Sequence, residues 1–221
     1  MSDHRTLARV AGLLYLLTFA TSIPALALKQ PFLQAGGAGA PTAAQGAVVL
    51  EILLALSCLG TAVVLAPVTR RVSEPLALGF VGSRVLEAAA VLIGAVALLA
   101  LIRIGPNPGA GADVLVATHD AAFLLGPGLL PAINAVLLGA VLFRAGLVPR
   151  VLPLLGFIGA PLLVASACAT LFGALDQVSP LAGLAALPIA LWELGLGLWL
   201  VLRGFRADAV ERLALRRSAV G

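Results

Sequence analysis

Charge is the scarcest thing in this chain. Asp, Glu, Lys and Arg make up 11% of its 221 residues, where a soluble domain carries about 25%. Hydrophobic residues make up 61%, against about 45–50% in soluble domains. A water-soluble core cannot absorb that excess, whereas a bilayer can. Cysteine is nearly absent too. Cys58 and Cys168 fall inside apolar runs, match no metal-ligand spacing and outline no disulfide framework, so they read as small packing residues. The chain holds no HExxH, and its GAGA strings follow no strand, which leaves no nucleotide fingerprint. The net charge of +4 invites a nucleic-acid reading, but the arginine positions account for it better. No nucleic-acid partner is expected; the partner is the lipid bilayer.

What the chain does have is a series of apolar runs near the length of about 20 residues that crosses about 30 Å of hydrocarbon. Six occur, at about 6–28, 44–67, 75–102, 113–143, 150–174 and 181–203. Backbone groups in lipid must be satisfied within their own element, so each run reads as a helix. The expected fold class is all-α, a polytopic membrane bundle of six transmembrane helices over residues 6–203. A basic tail follows over 204–221, either an amphipathic helix on an anionic inner leaflet or a solvated anchor. The first run has signal-like features, with Arg5 and Arg9 ahead of it and Pro24-Ala25-Leu26-Ala27 as a candidate cleavage site. Yet Tyr15, Thr18 and Ser22 recur at helical spacing. A helix packed in a bundle uses such a polar edge, so the segment is read as retained.

The connectors set the orientation. Arg5, Arg9, Arg70, Arg71, Arg144, Arg150, Arg203, Arg206, Arg212, Arg216 and Arg217 fall on one side, and only Lys29 and Arg103 on the other. The positive-inside rule then puts both termini in the cytoplasm, with the protein in the plasma (inner) membrane. The connectors 29–43 and 103–112 are rich in Gly and Pro and are expected to be irregular.

A charge at the centre of a membrane helix costs about 2.5–3.5 kcal/mol, while each good apolar residue returns about 0.3–0.6. The chain nevertheless keeps several. Arg84 and Glu87 in helix 3 are three residues apart, share a face and can pair. Glu193 in helix 6 lies at similar depth, beside Trp192, and Glu51 in helix 2 lies nearer the outside. Ala55, Cys58 and Ala62 form a small-residue stripe below Glu51 that admits a close neighbour. Trp199 reads as part of the interfacial belt.

Helix 4 concentrates the unusual residues, in THDAAFLLGPGLLPAIN over 118–134. Pro127 and Pro131 each lack an N–H for the preceding turn. With Gly126 and Gly128 beside them, a kink is expected at Pro127/Pro131. His119 and Asp120 read either as outer-interface residues, with Asp120 an N-cap, or as embedded ones. In an unbroken helix Asp120 and Asn134 would lie about 40° apart, on one face. The candidate binding residues are therefore Glu51, Arg84, Glu87, His119, Asp120, Asn134 and Glu193, expected around one buried polar site. No catalytic residue, cofactor or metal ligand is assigned.

Several strings carry a resemblance: ARVAGLLYLLTFATSIPA, SRVLEAAAVLIGA, HDAAFLLGPGLLPAINAVLLG, FRAGLVPRVLPLLGFIGAPLLVAS and LWELGLGLWLVLRGF. They resemble a bacterial multi-pass membrane family known as domain of unknown function 4386. The resemblance spans nearly the whole chain and implies an integral membrane protein of about six helices. It implies no activity. Loops 29–43 and 103–112 lie outside the matching strings.

Three functions fit these residues. The first is small-molecule or ion binding and transport, because a broken helix beside embedded acids is the arrangement of secondary-transport sites. It requires a solvent route to Glu87 and Glu193. Six helices are few for a transporter, so a homo-oligomer or a partner in a membrane complex is expected. The second is an accessory or structural subunit packed through stripes such as Ala165, Ala169 and Gly173. The third is an intramembrane hydrolase, metal-dependent or otherwise, using Glu, His and Asp; Ser83 has no evident base for a serine mechanism.

Overall fold

A computed structural model describes the backbone of residues 2–105 and 110–218 and the side chains of 4–105 and 111–215. Among these residues the chain is all helix: α1 (Ser2–Gln34), α2 (Pro41–Thr69), α3 (Glu74–Ile104), α4 (Ala110–Leu125), α5 (Leu130–Ala145), α6 (Val151–Leu171), α7 (Pro180–Leu202) and α8 (Ala207–Ser218). Six spans are long and apolar enough to cross a membrane, with α4 and α5 together forming the fourth. The outward faces are apolar, as at Leu13, Ile23, Val63, Val96 and Leu162, which is where acyl chains replace water.

The helices are longer than their apolar runs. The expected connector 29–43 shrinks to 35–40, because α1 continues through Pro31 to Gln34 and α2 starts at Pro41. Pro41 suits a first helical position, where no N–H is needed. Gly36 (φ 58°) and Gly37 (φ 87°) take the left-handed conformations that turn the chain back. The connector expected at 103–112 also gives way to helix, since α3 reaches Ile104 and α4 starts at Ala110. Residues 106–109 and the Arg216 and Arg217 side chains lie outside the described residues.

The spans follow one another around a ring. Each of α1, α2 and α3 packs on the next, α5 packs on α3 and α6, α6 packs on α7, and α7 closes back on α1. Small residues set the closest crossings. A Cβ on Gly12 of α1 would stand 2.7 Å from the Gly197 carbonyl oxygen of α7, and one on Gly159 of α6 would stand 2.8 Å from the Ile189 nitrogen. Ala55, Cys58 and Ala62 are all buried. By contrast Ala165 and Gly173 face outward, because α6 packs through Gly156, Gly159, Ala160, Leu163 and Ala167 instead. Cys168 also points out.

The fourth span is interrupted over 126–129. Gly128 N–H donates back to the Phe123 carbonyl at 2.9 Å and Leu129 N–H to the Gly126 carbonyl at 3.2 Å, so the regular ladder is lost for a turn. A Cβ on Gly126 would lie 2.7 Å from Ala90 Cβ, and one on Gly128 2.5 Å from the Leu124 carbonyl oxygen. Glycine is therefore required at both. The consequence is tertiary. Below the interruption α5 fills the ring between α3 and α6, while above it α4 stays on α3 and barely touches α6. One end of the bundle is closed and the other is split. At the closed end His4 meets Arg71 at 3.3 Å and Arg206 N–H donates to the Leu147 carbonyl at 3.0 Å, so both chain ends sit with the arginine-bearing loops.

The tail helix α8 buries Ala209 and packs Val210 and Leu213 on the core. Its outer face carries Asp208, which accepts from Arg212 at 3.0 Å. That bond is the main cause holding the Asp208 carboxyl below the usual aspartate range. A depressed folded pKa means the contribution is present above the ordinary aspartate value and is lost as pH falls through the lower folded one. In a Cys168→Ser background, a spin label at Ala214→Cys should therefore gain mobility only below pH about 4, and Asp208→Asn should flatten that dependence.

Candidate functional site

Glu51 and Cys58 are two turns apart on α2, about 10 Å along the axis, and each marks a separate polar group. The inner group is built on Arg84. Its guanidinium donates to Glu87 Oε2 at 2.8 Å, to Glu193 Oε1 at 3.0 Å and to Cys58 Sγ at 3.7 Å. Asn134 Nδ2 donates to the same Glu87 oxygen at 2.7 Å. The Arg84 cation also lies 5.0 Å from the Tyr15 ring centre and 5.8 Å from that of Phe80. One arginine thus joins α1, α2, α3 and α7, with α5 tied in through Asn134. Arg84 is 1% exposed, and Trp192, buried beside Glu193, packs its ring on Gly156 of α6. The inner group sits at mid-membrane, since Glu193 lies ten residues before Arg203, about 15 Å along its helix.

The outer group is built on Glu51. It is ion-paired with Lys29 of α1, and His119 Nε2 of α4 stands 3.8 Å from Glu51 Oε1. His119 Nδ1 contacts Asp120 Oδ1 at 3.2 Å. Phe123 stacks with the His119 ring at 6.5 Å, and Lys29 Nζ lies 4.8 Å over its centroid. Lys29 follows Arg9 by twenty residues, about 30 Å of helix, which puts this group at the far edge of the hydrocarbon layer.

The seven residues picked from the sequence therefore fall into two groups rather than one. Arg84, Glu87, Asn134 and Glu193 come together; Glu51, His119 and Asp120 form the other set. Asp120 and Asn134 do not share a face, because the turn at 126–129 resets the helical phase between them. Asp120 is no N-cap either: it lies in the middle of α4, its side chain 56% exposed. Lys29, expected in an outer connector, is 3% exposed and inside α1. Sequence reasoning missed it. The available signals were that it is the sole lysine in the chain and that Pro31-Phe32-Leu33 continue the apolar run beyond it.

The two groups differ most in the space around them. At the outer group a chamber of about 40 Å³ is lined by Ser22, Lys29, Glu51, Gly94, His119 and Phe123 together with apolar neighbours, room for a few waters. It shares Lys29, His119 and Phe123 with a vestibule of about 290 Å³ that adds Gln30, Gln34, Asp120, Asp176 and Gln177. A third cavity, of about 440 Å³, opens sideways where α4 leaves α6, among residues such as Leu124, Leu163, Ala167, Ala182 and Ala186. It shares Leu26, Phe123, Gln177 and Val178 with the vestibule. None of these three cavities is lined by Arg84, Glu87, Asn134 or Glu193. The buried Glu51 Oε2 has no hydrogen-bond partner among the described residues, although its residue lines the chamber. Among the described residues, no three His, Cys, Asp or Glu side chains gather in a way that could hold a metal ion.

No curated protein and no solved structure matches the chain. A family profile does match, over residues 10–204, reaching into all six spans and covering both polar groups. The chain belongs to the family described as Domain of unknown function (DUF4386), and it is a multi-pass membrane helix bundle.

Proposed function

We propose that this membrane protein binds a small molecule or ion at the chamber around Lys29, Glu51 and His119, as a transporter-like protein entered from the split end. One observation carries the reading: the outer group is hollow and Glu51 Oε2 is unpartnered beside that space, whereas Arg84 Nε and Asn134 Oδ1, also unpartnered among the described residues, belong to residues that line none of the three cavities. Buried polar groups are ordinarily satisfied, and an exception calls for an explanation; a guest that supplies the missing donor is the one adopted here. The solvent route to Glu87 and Glu193 that the transport reading required is not met, since neither lines any of the three cavities; the Arg84 group is assigned the role of a strut, and the binding reading rests on the outer group alone. The arginine-bearing end is assigned to the cytoplasm by the positive-inside rule, with both termini there and the split end facing outward from the plasma membrane. We attribute the divergence of α4 to a kink at Pro127 and Pro131, whose missing N–H groups weaken the ladder where it turns. An interrupted span beside ionic side chains is how secondary transporters build their sites.

An accessory-subunit role draws on the outward-facing Ala165 of α6 and Gly173 in the turn after it, which suit a second copy or a partner helix. The metal-hydrolase reading lacks a set of three ligands among the described residues.

Side-specific labelling tests the proposal. In a Cys168→Ser background, Ser22→Cys should react with silver ion added outside, a thiol reagent small enough for a space that holds a few waters, roughly tenfold faster than native Cys58 beside Arg84, because thiol reactivity follows access. Equal rates, or a silent Ser22→Cys, would remove the chamber from consideration.

A further inference from the structure

We infer that the vestibule and the sideways cleft together hold one outer-leaflet lipid whose headgroup ends in a primary ammonium that reaches into the adjoining chamber at Glu51. This rests on reading the chamber as a binding site. The cleft has the depth for an acyl chain. Ala167 lies sixteen residues past Val151, about 24 Å from the arginine-bearing end of α6, in the outer third of a layer of about 30 Å. The cleft is apolar, and at Leu26, Phe123, Gln177 and Val178 it runs into the polar vestibule. A molecule filling both spaces needs a polar head and an apolar tail, side by side at the headgroup level.

The charges choose the head. Lys29 is already committed to Glu51. Asp176 makes no ion pair among the described residues, and Asp120 has only His119. The vestibule is thus left net negative and suits a positive group. Glu51 Oε2, in a residue 4% exposed at the chamber wall, lacks a donor, so the positive group must carry N–H. A primary ammonium does; a trimethylammonium has the charge without the donor, and an anionic head has the wrong sign. The side-chain amides of Gln30, Gln34 and Gln177 supply donors for the phosphate that joins such a head to its chains.

The test is native mass spectrometry of the purified full chain with phosphatidylethanolamine, phosphatidylcholine and phosphatidylglycerol of matched acyl chains. Phosphatidylethanolamine adducts should be favoured about tenfold over either of the others, the worth of one hydrogen bond to a charged group. Asp176→Asn, on an exposed loop, should shrink that preference, and Glu51→Gln should abolish it. Ala186→Trp, which fills the cleft, should reduce all lipid adducts without reordering them. Equal retention of the three lipids, or phosphatidylglycerol on top, overturns the proposal. Free ethanolamine displacing the lipid at equal concentration overturns it too, since the head alone would then be the ligand. If Ser22→Cys labels from outside while no lipid is preferred, only this inference falls; if it stays silent, the chamber falls with it.

Discussion

Arg84→Gln is expected to destabilise the bundle by about 3–5 kcal/mol, the range for removing one partner of a buried ion pair. The reason is what the arginine leaves behind. Glu87 and Glu193 both lie on it, at 2.8 and 3.0 Å, and Asn134 satisfies only one of the Glu87 oxygens. Without the cation two carboxylates face each other in an apolar interior, where uncompensated charge is least tolerated. The complementary result separates charge from shape. The triple variant Arg84→Gln/Glu87→Gln/Glu193→Gln keeps the shape of both acids, shortens only position 84 as the single variant does, and removes every charge, so it should recover at least half of the loss, since replacing a whole buried network can be close to neutral. Thermal unfolding in one detergent, followed by size-exclusion recovery after heating, reads both. A single variant as stable as the parent, or a triple variant no better than the single, would show that the Arg84 group is not a strut.

The second large effect is steric. Gly12→Val should separate α1 from α7, because the new Cβ arrives 2.7 Å from the Gly197 carbonyl oxygen and 2.8 Å from the Val201 nitrogen. Those are backbone atoms and cannot rotate away. Overpacking of a side chain costs about 1–3 kcal/mol, and a rigid backbone clash belongs at the top of that range. Gly197→Ala should be milder, since its Cβ would lie 3.3 Å from the Gly12 carbonyl oxygen and 3.1 Å from Tyr15 Cβ. Gly82→Ala meets nothing within 4 Å and should be neutral or slightly stabilising, as alanine favours the helix. If all three behave alike in thermal unfolding, the crossing is looser than described. Tyr15 lies one turn beyond Gly12 and faces the Arg84 cation, so a shift of α1 would also disturb the inner group.

The lipid environment, the number of spans and the identity of most buried ionisable residues were legible in the chain itself. Apolar length against hydrocarbon thickness is a one-dimensional property, and a charge inside such a run is conspicuous wherever it falls. The Arg84–Glu87 pair was legible for the same local reason, a spacing of three on one helix. Lys29 was not, because Gly and Pro after it read as a loop, while the helix in fact runs on to Gln34. A neighbour's carboxylate makes that lysine tolerable, and the neighbour is 22 residues away.

By itself, then, the amino-acid order determined what surrounds this protein and which residues it hides, since both follow from transfer energies summed along a helix. Only the tertiary arrangement decided that the hidden residues divide into a filled group and a hollow one. That division depends on the turn at 126–129, which sends α5 into the ring and leaves α4 apart from α6. Its effect on Asp120 and Asn134 is a rotation and a displacement in space, and no spacing in the sequence encodes the size of either.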